Sequence, residues 1–584
     1  MLYFIAAWSI LATLAWIVGT ALIQGLNADC FDRVGDRIMV ALWLGTVLLS
    51  QGLLLIAIAL PLSPVVGLGI ALALLLLLMW PPMRVEFRKI RQTISCPVLF
   101  GLIGWGILIA AYTSQRNNWF DTGLYHYGAI RWLSEFGTVP GLALILSNFG
   151  FTSTWFALAA PFNPAAIASQ TSVVTNGFIL LVATGHGLIA LHRWMSGRAR
   201  VTDKFIVIAS VLILPAITLT TFLSAILISS SPDIPVIFLT VAVAWSILTV
   251  ANPALPRQGN ANSVPFHKPL WDVSLIPLIL AVGAISIKLS ALPLLPIAGL
   301  FYWGQQPQNL RRLLVGGGLS ILLLVPFTAA GIIHSGCPLY PSSALCIDLP
   351  WRVSETTASE AAKVVQLWEH ALGSPPSGTN ALLWRLWEWL KFARLNVIML
   401  LLLILSVALT GFTYKAARRQ GILGTPWLFC LGLIGMVFIL FQAPMIRFGL
   451  GYFTLIPTIA IAILGIPCAQ KVDQWRLQPS FPRLPTNRRL KIFWFGLGIL
   501  GAIYLTSTNL RERWLLPPMM PTTAVETQQS FDIAYVKPIN DRRGQCWDAP
   551  IPCSPNNLDV RLRNPNRGFK AGFIPAKNSD PGLE

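Results

Sequence analysis

The sequence predicts an all-α polytopic membrane protein, and three observations carry that prediction. Hydrophobic residues make up 55% of the 584 and charged residues only 11%, with a mean hydropathy of +0.66, far from the balance of a globular soluble chain. Apolar runs long enough to cross a hydrocarbon layer recur along the chain. The formal charge of +19, from 42 Lys plus Arg against 23 Asp plus Glu, would by itself suit nucleic acid. The basic residues sit instead in short connectors between apolar runs, the positive-inside pattern of a chain whose partner is membrane lipid, and no nucleic-acid partner is expected.

In order, spans are expected near Leu2 to Leu26, Ile38 to Leu60, Val65 to Trp80 and Pro97 to Tyr112. The basic run RVEFRKIRQ between the third and fourth marks the cytoplasmic side, so the fourth span delivers the stretch around Asp121 to the extracytoplasmic side. Spans near Asn176 to Trp194, Phe205 to Ile228 and Ile234 to Val250 then alternate between basic GRARVTDK and charge-poor ISSSPDIP. A run from Val273 to Trp303 would be about 46 Å long as one helix against a layer of about 30 Å, so it must break, and Lys288 marks the place. After QQPQNLRR come a span near Leu313 to Ile333 and a long outside loop, His334 to Asn396, with an amphipathic Trp-rich segment, LLWRLWEWLKFARL. Spans near Val397 to Thr413, Pro426 to Phe441, Gly449 to Ile466 and Ile492 to Ser507 complete the series. The sum is roughly fourteen spans with both termini outside, counted in windows of about 20 residues. Residues 1–508 are then the transmembrane domain, with extracytoplasmic loops over 114–175 and 334–396, and residues 509–584 a small, Pro-rich extracytoplasmic tail. The first connector directs orientation least, because Arg33 and Arg37 are balanced by Asp29, Asp32 and Asp36.

The stretch from Asn117 to Phe156 is neither a clean span nor a basic connector. Leu124, Gly128 and Trp132, or Tyr125, Ala129, Leu133 and Phe136, share a face, which predicts a helix from about Gly123 to Phe136 stopped by Gly137 and Pro140. At about fourteen residues it is too short to cross and too apolar to float free, so it should lie along the interface. Asp121, at its entrance, is either a general base or metal ligand facing a cavity, or the N-cap of the helix. His126 and Tyr125, one turn on, either orient a sugar or pyrophosphate or belong to an interfacial aromatic belt. Arg131 and Glu135, four apart, read as a surface pair.

Asp233 is the only acid between Asp203 and Asp272, either a substrate contact or a cap for a helix with Pro235 in its first turn. Lys288 costs about 2.5 to 3.5 kcal/mol in an apolar segment on insertion scales, so it needs a partner or a wet cavity. Arg447, in FQAPMIRFGLGYF, sits at an outside mouth, where it either clamps a phosphate bidentately or snorkels to the interface.

Cys337 and Cys346 share the outside loop and Cys546 and Cys553 the tail, whereas Cys30, Cys96, Cys430 and Cys468 fall in spans or inside connectors. Two outside disulfides are the natural pairing. No CxxC occurs, and His334 and His370 make no ligand cluster. A Walker A loop, GxSxG, HExxH and DxD are all absent, which argues against ATP-driven transport and zinc hydrolysis. A hard cation usually wants more than one convergent carboxylate, so a divalent metal is possible but disfavoured, and no other cofactor is expected.

WFDTGLYHYGAIRW followed by GTVPGL resembles the first long loop of a family of large, largely uncharacterised bacterial membrane proteins, in which an aromatic-Asp-Thr-Gly-Leu-Tyr-His run precedes a Trp and a Val-Pro-Gly-Leu. SSSPDIP, the Lys288-Leu-Ser-Ala segment, CPLYPSS and QCWDAPIPC extend the resemblance over most of the chain, while Thr152 stands where the pattern has Asn. More distantly the layout resembles GT-C-type glycosyltransferases, which take sugars from polyprenyl-phosphate carriers and keep an essential acid in the first extracytoplasmic loop. The resemblance implies a GT-C-like fold in a bacterial plasma membrane, with Asp121 as that acid. It implies transfer from a polyprenyl-phosphate sugar to an extracytoplasmic glycan or lipid acceptor in cell-envelope glycan synthesis. The missing DxD departs from metal-dependent members. The alternatives are a polysaccharide polymerase or ligase, and a lipid-linked glycan flippase or other transporter.

Overall fold

The computed structural model describes residues 1–93, 96–164, 170, 174–253, 269–366, 374–465, 513–539 and 544–576. The expected last span near Ile492 to Ser507, the connector before it, Cys468, His370 and the side chain of Cys96 lie outside the described residues. Among the described residues, nine helices are long and apolar enough to cross a membrane, or ten if one bent pair is a single span. The membrane-crossing part is therefore all-α, and the chain is a multi-pass membrane protein.

Helices α1 (Leu2–Gly25) and α2 (Val34–Ala57) form an antiparallel pair whose approach is set by small residues. A Cβ on Gly19 would lie 1.9 Å from the Ala41 carbonyl oxygen, and one on Gly45 1.7 Å from that of Ala15. Backbones pack directly there, as apolar helices must when lipid leaves no hydrophobic drive between them. Helix α3 (Pro64–Leu75) leads through a tight turn into α4 (Pro81–Thr93), bent 88° away. The basic run RVEFRKIRQ is thus a short helix lying across the end of a span, with Glu86 on its buried face 3.2 Å from Arg37. There follow α5 (Cys96–Thr113), α6 (Tyr127–Glu135), α7 (Thr154–Ala159), α8 (Val174–Met195), α9 (Val201–Leu219), α10 (Thr221–Leu227) and α11 (Asp233–Ala251).

Two aspartates of the first connector, Asp32 and Asp36, are specific partners. Arg33 bridges Asp36 and Asp203, each at 2.7 Å, Arg193 bridges the same two at 2.5 and 2.9 Å, and Arg200 holds Asp32 at 2.7 Å. This network ties the α1–α2 connector to GRARVTDK at one end of the bundle. At the opposite end of α1, the Met1 amine donates to the Arg513 carbonyl at the start of the tail.

The long apolar run breaks at Lys288, where the backbone is extended (φ −158°, ψ 136°), into α12 (Leu275–Ile287) and α13 (Leu294–Gly304). The Tyr302 hydroxyl donates to the Leu270 carbonyl at 2.6 Å, and Arg312, on α14 (Leu310–Ser335), pairs with Asp272 at 2.9 Å. The two short arms therefore return to the level from which they set out, with Lys288 at their apex. The loop after α14 holds α15 (Glu355–Gln366) and α16 (Ala381–Phe392), and α17 (Arg394–Arg419), α18 (Thr425–Gln442) and α19 (Ile446–Leu464) come after it. The apolar windows of α11 and α19 are each 89% buried against 28% for α14 and 17% for α17, so α11 and α19 are the centre and α14 and α17 the lipid-facing rim.

The tail folds as two antiparallel hairpins, β1 (Val525–Ser530) with β2 (Ile533–Pro538) and β3 (Val560–Leu562) with β4 (Phe573–Pro575). Ser530 lies opposite Ile533, and Leu562 opposite Phe573. The tail is too small for a large core of its own. Ile533, Tyr535, Val560 and Phe573 share one with Trp132, Val139, Leu142 and Ile145 of the first long loop.

Candidate functional site

The expected helix after Asp121 is present, but it opens with a π-helical turn, Thr122–His126, before α6, and it ends at Phe136 with Gly137 at φ 77°. Asp121 makes no capping bond. Its carboxylate accepts a hydrogen bond from Arg447 Nη1 at 3.0 Å instead. Asp233, first residue of α11, is likewise not a side-chain cap. Its carboxylate accepts from Lys288 Nζ and lies 3.8 Å from Arg447 Nε. Both capping expectations are corrected for one reason: a buried cation is a stronger partner for a carboxylate than a peptide N–H that other groups can satisfy.

Four charges from four elements thus form one chain, Asp121 to Arg447 to Asp233 to Lys288. Their sum is zero, which is how charges become tolerable away from water. Arg447 does not snorkel: its side chain is 16% exposed, and its guanidinium lies 5.3 Å from the Trp119 ring centre and 4.6 Å from that of Phe448. Lys288 Nζ is 4.1 Å from the same Phe448 ring, so cation–π contacts supplement the ion pairs.

The backbone around the quartet is pinned by side chains that sequence reasoning passed over. The break at Lys288 frees carbonyls on either side of it, and these find donors: Ile287, the last residue of α12, accepts from Ser153 Oγ at 2.7 Å, and Ser290, just past the break, from the Tyr452 hydroxyl at 3.1 Å. Left unsatisfied in so buried a place, such groups would be costly. The turn before Asp233 is held through Ser231, whose hydroxyl accepts the Asp233 N–H at 3.3 Å and whose carbonyl accepts from Asn176 Nδ2 at 3.1 Å. Asn176 in turn accepts from Trp155 Nε1 at 2.8 Å. An amide inside an apolar span was the available signal.

Tyr125 and His126 stack edge to face at 4.5 Å, and both rings meet Phe156. They line the inner side of the Asp121 turn and do not form a lipid-facing belt. Burial pushes the His126 imidazole down to about 4 despite the pull of Asp121 and Asp233, so it is neutral near pH 7. Burial pushes the Asp121 carboxyl up, but Arg447 in direct contact, with Lys288 beyond it, outweighs this and holds it below its ordinary value. Beside this stack Thr152, Trp132 and His334 line a cavity of about 10 Å³, room for about one water. The Thr152 hydroxyl is 3.4 Å from His334 Nδ1.

The structure pairs Cys337 with Cys346 and Cys546 with Cys553, and leaves Cys30 and Cys430 as thiols. Arg131 meets Glu135 at 3.2 Å, but it also donates to the Ala549 carbonyl at 2.8 Å, so it is a docking contact for the tail as well as a surface pair. Among the described residues no group of three or more His, Cys, Asp or Glu could hold a metal ion. The fold does supply the second carboxylate that the sequence hides, Asp233, yet the Arg447 guanidinium occupies the space between it and Asp121.

No curated protein and no solved structure matches the chain. A family model described as a domain of unknown function, DUF8201, matches residues 1–454. That stretch carries Asp121, Asp233, Lys288 and Arg447 and stops short of the tail, and the chain belongs to this family.

Proposed function

We propose that the protein is a membrane glycosyltransferase that moves a sugar from a polyprenyl-phosphate carrier to an extracytoplasmic glycan or lipid acceptor in cell-envelope synthesis, in a bacterial plasma membrane and with a GT-C-like arrangement of roughly fourteen spans. The observation that carries this reading is the meeting of Asp121, Asp233, Lys288 and Arg447, contributed by four separate elements. A purely structural pair needs two of them. A reaction that removes a proton while a phosphate leaves needs a carboxylate and cations side by side.

In this mechanism the acceptor hydroxyl attacks the anomeric carbon and the bond from that carbon to the phosphate oxygen breaks. Asp121 takes the hydroxyl proton, and the lipid phosphate departs with its new charge facing Arg447 and Lys288. At rest Arg447 occupies Asp121 and lowers its basicity. A phosphate docking on Arg447 draws the guanidinium away, so that burial raises the basicity of Asp121 when substrate is present. No metal or other cofactor takes part in the proposed route. The test is formation of a glycosidic bond by the purified chain in lipid, supplied with a polyprenyl-phosphate sugar and a hydroxyl acceptor, and its loss in Asp121→Asn.

A second reading, a lipid-linked glycan flippase or other transporter, draws on the broken segment at Lys288, since discontinuous helices often mark transport sites. It predicts movement of the lipid-linked sugar across vesicles without a new glycosidic bond. A polysaccharide polymerase or ligase would use the same quartet and differ in taking a lipid-linked glycan as donor, with the helices of the 334–396 loop beside it.

A further inference from the structure

The helix that begins at Asp121 has two working faces. The inner face presents Asp121 to Arg447 and stacks Tyr125 and His126 on Phe156. The outer face meets the tail at Phe120, Gly123, Tyr127 and Arg131, positions three or four apart along one stripe. Gln545 Nε2 donates to the Phe120 carbonyl at 2.9 Å. The N–H groups of Cys546 and Trp547 both donate to the Gly123 carbonyl, at 2.8 and 3.1 Å. Arg131 donates to the Ala549 carbonyl. The Trp547 side chain packs with Tyr127 and Met520 and covers Gly123 so closely that a Cβ there would lie 2.4 Å from the indole. Trp547, Cys546 and Ala549 fall within the loop that Cys546 and Cys553 close, and Gln545 immediately precedes it.

The π-helical turn fits this contact. A π turn disturbs the regular ladder of an α-helix, and here the Gly123 carbonyl in that turn accepts both tail N–H groups. The geometry points to the Cys546–Cys553 loop as a strap that positions the Asp121 turn against Arg447, with Trp547 as its anchoring residue. The strap touches neither the quartet nor any reacting atom, so Trp547 is a positioning residue. Its contribution to sugar transfer rests on the function proposed above, whereas its effect on the Asp121 helix does not.

The test uses the full chain in lipid, as wild type, Cys546→Ser/Cys553→Ser, Trp547→Ala and Trp547→Phe, with hydrogen exchange followed in 118–131 and in α8, α11 and α19. Loss of two or three hydrogen bonds and an aromatic contact should speed exchange of the 118–131 amides at least about tenfold, with the central helices unchanged. Trp547→Phe, which keeps an aromatic plane over Gly123, should recover most of the protection. Unchanged exchange in 118–131 overturns the strap, and so does a uniform rise across all helices, because the tail would then act on the whole bundle. Sugar transfer separates this inference from the one beneath it. If transfer is measurable, it should fall in the Ser and Ala variants and recover in Phe, and transfer at the wild-type level in all variants overturns the positioning role. If the wild type transfers no sugar while exchange responds as described, the strap stands and the transferase reading fails.

Discussion

Asp121→Asn tests the chemistry and the quartet together, and the structure changes the expected size of its effect. Had Asp121 been only an N-cap, Asn would replace it at well under about 1 kcal/mol, since both residues cap well. The carboxylate is instead paired with Arg447 at 3.0 Å, with side chains 22% and 16% exposed. Unit charges about 4 Å apart attract by about 4 kcal/mol at an effective dielectric of 20. Asn retains one acceptor for Arg447, and Arg447 retains Asp233 at 3.8 Å, so the net loss of stability should be about 1 to 3 kcal/mol. Loss of a general base costs about 10² to 10⁴ in rate, so transfer should nearly vanish while most of the protein remains folded. The assay pairs turnover of a polyprenyl-phosphate sugar with a melting curve on the same preparation in lipid. Arg447→Gln and the double variant complete a cycle, in which the two residues should couple by about 1 to 3 kcal/mol in stability. Near-wild-type transfer by Asp121→Asn would show that Asp121 is a structural ion-pair partner and that the mechanism is wrong. Additive stability losses would show that the pair is not an energetic unit.

Lys288→Met leaves the Asp233 carboxylate, 2% exposed, with only the more distant Arg447, and should cost about 3 to 5 kcal/mol, read as lower abundance and melting temperature; adding Asp233→Asn should recover much of it. Burial lowers the folded-state value of His126 from 6.5 to about 4, so between these values the unfolded chain binds a proton that the folded chain does not. Stability should therefore fall as pH drops from about 6.5 toward 4, by up to about 3 kcal/mol; the depressed Asp121 carboxyl acts in the same direction at the acid end. His126→Phe should flatten the upper part of that pH dependence, and an unchanged melting profile would contradict the neutral, buried imidazole. Reporter fusions after Arg200 and Arg419 should lie in the cytoplasm and fusions within 334–396 or after Arg513 outside, and any exchange between the two groups would overturn the orientation. Mass spectrometry without reduction should find Cys337 bridged to Cys346 and Cys546 to Cys553, whereas alkylation of all four would exclude both bridges.

The helices were legible in the sequence because lipid enforces one rule everywhere: a spanning segment satisfies its own backbone, so its length and apolar content are written locally. Lys288 was legible for the same reason, since a cation in a run too long for one span marks a break and demands a partner. Asp121 was legible as a chemically distinctive acid at a helix entrance. Its partner was not, because Arg447 lies 326 residues away and nothing in either local pattern refers to the other. Asp233 and Asp121 each looked like a cap for the helix beginning beside it. Only the packing of α19 between them turned both carboxylates from the peptide N–H groups toward a shared guanidinium. The tail shows the same division. Its cysteines and polarity set it apart from the apolar bundle, but Trp547 finds Gly123, and Phe573 finds Trp132, only when the bundle brings the first loop beneath them. Periodicity and charge determine where the chain crosses, while long-range electrostatics and surface complementarity, which depend on distances between remote residues, decide what meets at the site.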